Sequence, residues 1–148
     1  MRVVVLATLA SLLLACDMAG SPSGVVMPVP PRNLDPETLN IGKVVYDKHC
    51  KRCHGLDGKG SSNWRAQGPD GKYPPPPLDG TGHTWHHPQV VLVNVIKDGS
   101  PGGMGNMPAF RDKISDAEVD AVITWLQSLW SEQAYQEWFQ RDISHRGH

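Results

Sequence analysis

Cys50-Lys51-Arg52-Cys53-His54 is the stretch on which the reading of this chain turns. Two thiols one helical turn apart can reach the two vinyl groups of one porphyrin as thioethers. A histidine directly after the second falls beneath the ring, where its imidazole can ligate iron. Two other chemistries use paired cysteines. A zinc site needs a second ligand pair, and the only further cysteine is Cys16. A thiol–disulfide pair expects a strand–helix context that this sequence lacks. The spacing therefore predicts one covalently held haem c on Cys50 and Cys53, with His54 as an axial iron ligand.

Outward from this motif, 148 residues leave room for one small domain with extras. The 13 prolines and 15 glycines predict long ordered loops. A formal charge of −1 carries no basic stripe for nucleic acid. Residues 1–15 join Met1-Arg2 to an apolar run too short to span a bilayer, which takes about 20 residues, and read as a secretory leader. Leu13-Leu14-Ala15-Cys16 resembles the lipobox of bacterial lipoproteins, which implies cleavage before Cys16 and lipid on its thiol. Leu14 is larger than the residue usual there, and ordinary cleavage near Ala15 or Ala19 is the alternative. With Cys16 lipidated, no cysteine remains for a disulfide, and the protein is expected on the periplasmic side of a membrane. Residues 16–34, rich in Pro, Gly and Ser, read as a tether with a reach of roughly 20–25 Å. The alternative is a segment wrapped onto the domain.

Asp35-Pro36-Glu37 predicts a helix start, with a capping carboxylate, proline at the first helical position and an acid in the first turn. The helix should run to about Cys50, with Gly42, Tyr46 and Cys50 on one face. At this spacing the chain resembles the class I cytochromes c, whose first helix carries a glycine, an aromatic and then the first haem cysteine. The glycine there admits a close crossing by the C-terminal helix. Ser115-Asp116-Ala117-Glu118 is a capping box, followed by Val119, Val122, Ile123, Leu126, Leu129 and Trp130 at helical spacing. The resemblance implies that Val122 and Trp125 meet Gly42 and Tyr46. Between these ends, the valine-rich run from Gln89 to Lys97 could be a strand. No second strand is available to pair with it, and Pro88 before it with Gly99 after it suit a helix. Tyr135, Trp138 and Phe139 predict one more helix in the tail. The expected fold is all-α: a class I cytochrome c core over 35–130, an enlarged loop at about 57–87 on the proximal and propionate side, and a helical extension over 131–148.

Two methionines stand in Met104-Gly105-Asn106-Met107-Pro108-Ala109-Phe110. Class I cytochromes resemble this stretch at Met-Pro-x-Phe, which implies Met107 as the sixth ligand and leaves Met104 without that role. A thioether favours ferrous iron. Pro74 to Gly80 resembles the Gly-Pro-Asn-Leu-x-Gly segment of the same family, with the first Gly and the Asn replaced by prolines. The implied role, a carbonyl accepting the second ring proton of His54, aligns with Pro76.

Gly82-His83-Thr84-Trp85-His86-His87-Pro88 has no counterpart in small cytochromes of this kind. Trp85 and one histidine are expected to bind the haem propionates, with Trp64 and Arg65 shielding them. A copper or zinc site on His83, His86 and His87, a docking or proton-coupled surface, and a bis-histidine haem are the alternatives. The function these readings imply is one-electron transfer by a non-enzymatic carrier, tethered by lipid, between respiratory or periplasmic redox partners. Copper handling, or gas binding at an open distal side, is the rival.

Overall fold

The computed structural model describes residues 28–147, so the leader, Cys16 and most of the tether lie outside the described residues. Five helices follow in chain order: α1 (Pro36–His49), α2 (Lys51–His54), α3 (Gln89–Asp98), α4 (Asp116–Ser128) and α5 (Glu132–Arg146). Among the described residues there is no strand, only one isolated bridge between Tyr73 and Gly105. The all-α expectation holds, and the valine-rich run is α3. No described helix is long and apolar enough to cross a membrane.

Local chemistry starts the helices. The Asp35 carboxylate accepts from the Thr38 N–H at 2.8 Å, ahead of Pro36 at the first helical position. Ser115 and Glu118 close a reciprocal capping box on α4, and Ser131 Oγ accepts from the Ala134 N–H on α5. Helix α3 has no capping side chain of its own. Asp142 of α5, 3% exposed, supplies one by accepting from the Gln89 N–H at 2.7 Å, while its second oxygen pairs with Arg146. A buried carboxylate at a helix N-terminus meets both an orphan donor and the positive end of the dipole. Asp142→Ala should therefore cost about 2 kcal/mol, because it leaves a part-buried N–H unpaired and removes the buried carboxylate that caps α3. The check is a urea midpoint compared with that of Glu137→Ala on the same helix.

The core forms where α1 crosses α4. Val45, Tyr46, Val119, Val122, Ile123, Trp125 and Leu126 are buried together, closed by Phe110 and Ile114. The rings of Tyr46 and Trp125 lie 4.5 Å apart. At the crossing Gly42 abuts the Ala121 backbone and Trp125 Cβ. The partner of Gly42 is thus Ala121 with Trp125; Val122 lies in the same cluster, around Tyr46. Burial pushes the Tyr46 phenol up to about 12, and its hydroxyl donates to Gly55 O at 2.8 Å.

A second cluster gathers Trp130, Ala134, Tyr135 and Trp138 where α5 returns, with Val29 and Trp85 against it. Here the described end of the tether, 28–34, departs from a free linker. Arg32 donates to Gln127 O at 3.0 Å and Trp130 O at 2.6 Å, pairs with Glu132, and lies over the Tyr135 ring. A guanidinium suits the carbonyl-rich C-terminal end of α4, where the dipole is negative. This part of the chain is wrapped onto the domain.

Candidate functional site

Helix α1 delivers Cys50 at its C-cap, where the Cys50 N–H still donates to Tyr46 O at 2.9 Å. The chain then turns once more, with Cys53 N–H and His54 N–H both donating to Cys50 O, and Gly55 at φ 76 ends α2. Both cysteines are unpaired thiols, Cys50 half-buried and Cys53 exposed. His54 is 7% exposed. Its Nδ1 lies 3.1 Å from Pro76 O. A carbonyl only accepts, so Nδ1 carries the proton and Nε2 keeps its lone pair. Burial holds the imidazole below its ordinary value, against the opposing effect of that hydrogen bond.

The four prolines explain how the carbonyl reaches His54. A proline run has no N–H to satisfy and turns its carbonyls in different directions at each step. Pro75 O accepts from Ser61 N–H, Pro76 O from His54, and Pro77 O from Thr84 Oγ1. Trp130 Nε1 anchors the next carbonyl, Leu78 O, at 2.8 Å. Gly60, at φ 65, is required here, since a Cβ would sit 2.4–2.7 Å from the Pro76 and Pro77 backbone.

The methionine loop is closed by Ser100, whose N–H donates to Met107 O and whose Oγ accepts from the Met107 N–H, both at 3.0 Å. Met107 is half-buried against the core cluster, whereas Met104 is 59% exposed.

The structure divides the histidine–tryptophan loop. The Trp64 ring stacks on His83 at 5.1 Å, the Arg65 guanidinium lies over the Trp64 ring at 4.1 Å, and His87 meets His83 edge-on. Trp85 turns instead to the α5 cluster, with His86 against its ring. Among the described residues no three His, Cys, Asp or Glu side chains converge to hold a metal. The copper or zinc reading of His83, His86 and His87 is therefore set aside. His83 Nδ1 is buried without a protein partner, and burial, then His87 and His86, holds the ring below its ordinary value.

The residues present fit a covalently held haem. Two unpaired thiols stand a helical turn apart beside an imidazole with one nitrogen committed and one available. Met107 is half-buried against the core, and His83 Nδ1 is a buried polar atom that such a group could partner. The family model for cytochrome c oxidase, cbb3-type, subunit III matches residues 37–126, more than half the chain. The chain belongs to this cytochrome c family. Membership of that family supports haem c as the group these residues would hold.

Among its relatives is the cbb3-type cytochrome c oxidase subunit CcoP of Helicobacter pylori (strain 52), 30% identical over 97 residues, covering 64% of this chain and 29% of the relative. The CcoP subunit of Azospirillum brasilense is 27% identical over 113 residues, covering 76% and 36%. The cytochrome thus spans about a third of the curated relatives it matches. No solved structure matches it. Residues that the sequence did not single out also surround the site: Ser100 on Met107, Ser61 and Thr84 on the proline run, and Asn106 beside Met107. Only Ser100 had a legible signal, as the residue after the Gly99 that ends α3.

Proposed function

We propose that this cytochrome is a one-electron carrier whose haem is held by thioethers to Cys50 and Cys53, with His54 Nε2 and Met107 Sδ as axial ligands. The observation that carries the reading is the Nδ1 hydrogen bond of buried His54 to Pro76 O, which leaves Nε2 as the free nitrogen beside the two thiols. When bound, the haem supplies an iron that cycles between ferrous and ferric states without bond making. The protein's part is to keep that cycle cheap in reorganisation. The proline carbonyl holds His54 in one tautomer and orientation, and the two Ser100 hydrogen bonds hold the Met107 backbone. His83 Nδ1, with Trp64 stacked beside it and Trp85 nearby in sequence, is assigned to the haem propionates, which would give that buried nitrogen its missing partner.

The relatives are named as subunits of a cbb3-type cytochrome c oxidase, which supports a place for this carrier in respiratory electron transfer with a membrane complex as partner. Lipid on Cys16 would hold it at the periplasmic face, with a tether shortened by the docking of Arg32. In this reading the chain carries electrons and catalyses no reaction itself.

Protein matured in a host that makes c-type cytochromes should keep its pigment through acid acetone, and Cys50→Ala with Cys53→Ala should release it. Colourless wild-type protein, or wild-type pigment extracted by acid acetone, would overturn the proposal.

A further inference from the structure

The enlarged loop reaches across to the methionine loop through Asp70, Lys72 and Asn106, in a ring closed at the Lys72 backbone. Lys72 Nζ donates to Asn106 Oδ1 at 2.8 Å, and Asn106 Nδ2 donates to Asp70 Oδ2 at 3.0 Å. The other Asp70 oxygen accepts from the Lys72 backbone N–H at 3.1 Å. The two neighbours of Asn106 demand opposite ends of its amide, a donor toward the carboxylate and an acceptor toward the ammonium, so its orientation is set. The turn that presents them is itself closed, with Gly68 N–H donating to Lys72 O at 2.8 Å and Gly71 at φ 73. Beside the ring, Tyr73 N–H donates to Met104 O at 2.8 Å in the one backbone bridge between these loops.

These contacts fall on Met104 and on Asn106. Met104 is pinned by its carbonyl with its side chain out in solvent, and Asn106 immediately precedes Met107. Ser100 secures Met107 from the α3 side, and the enlarged loop secures it from the other. We infer that Asp70, Lys72 and Tyr73 form a strap that positions the sixth ligand, setting the register at Met107 and the rate at which that ligand leaves the iron. The inference rests on the proposed Met107 ligation. It gives the enlarged loop a task distinct from covering the propionates.

The test uses ferric holoprotein, with imidazole as the probe. Its substitution at the iron is limited by departure of the methionine and is followed by loss of the methionine–iron charge-transfer band. Asn106→Ala should speed substitution about fivefold, the size expected for losing two exposed hydrogen bonds. Lys72→Ala should do so by less, and the double variant should match Asn106→Ala alone. The urea midpoint should stay close to wild type. Arg111→Ala, which breaks the exposed Arg111–Asp98 pair on the other side of Met107, should leave the rate unchanged. If the wild type has the band but Asn106→Ala exchanges at the wild-type rate, or Arg111→Ala speeds exchange equally, the strap is refuted while Met107 stands. A wild type without the band overturns both.

Discussion

Gly42→Ala is expected to destabilise the protein by about 3 kcal/mol or more, enough to leave little folded holoprotein in a domain of ordinary stability. Local preference points the other way, since alanine in a helix interior is favoured over glycine by about 1 kcal/mol. The tertiary contact decides the sign. A Cβ at Gly42 would lie 2.1 Å from Ala121 O, and 2.7 Å from both Ala121 C and Trp125 Cβ. Carbon atoms in good contact sit about 3.5–4.0 Å apart. The obstructing carbonyl belongs to the backbone of α4 and cannot swing aside as a side chain would. Relief therefore requires α1 and α4 to part by about an ångström, which opens the Tyr46–Trp125 contact and the burial of Val45 and Ile123. Asn40→Ala, exposed on the same helix, should change the urea midpoint by no more than about 0.5 kcal/mol in equivalent stability. A Gly42→Ala protein as stable as wild type would mean that the two helices do not cross at this point.

That crossing marks how far the sequence could be read. Asp35, Ser115 and Glu118 announced α1 and α4 because capping chemistry is local, with donor and acceptor within three residues. The glycine itself implied a close neighbour, and the family resemblance supplied Trp125. It also pointed to Val122, which is buried in the same cluster as Tyr46, but not to the Ala121 backbone, since no side chain announces that contact. The resemblance over Pro74 to Gly80 led to Pro76, but the similar tasks of Pro75 and Pro77 were hidden, since their partners Ser61 and Thr84 carry no signal in the chain.

Interactions between distant segments were the least legible. Proline, glycine and serine around Arg32 suggested a free tether, yet the carbonyls that hold Arg32 lie 95 and 98 residues away. Asp142 carries no local sign of its role, and is a buried cap because its partner, the Gln89 N–H, lies 53 residues away. Composition does not encode such returns. His83 and Trp85 looked like one constellation because they are two residues apart, but the turn over Thr84–His86 sends them to different neighbours.

Met107→Ala should lower the reduction potential and open the iron to carbon monoxide, while Met104→Ala should do neither. Both residues are methionines in one loop, so composition alone does not separate them. Met107 is half-buried against the core with both backbone groups tied to Ser100, and Met104 stands 59% exposed. A neutral thioether favours ferrous iron. Losing a hundredfold preference for that state would read as roughly 120 mV, at about 59 mV per decade for one electron. Truncating a half-buried methionine also opens a cavity, worth about 2 kcal/mol at the low end of such substitutions, so a fall in potential could be confused with general loosening. Met107→His separates the two. A second imidazole should lower the potential as the alanine variant does but keep the iron closed to carbon monoxide. Loosening alone would open the iron in both variants. Equal shifts in Met104→Ala and Met107→Ala would remove the ligand assignment altogether.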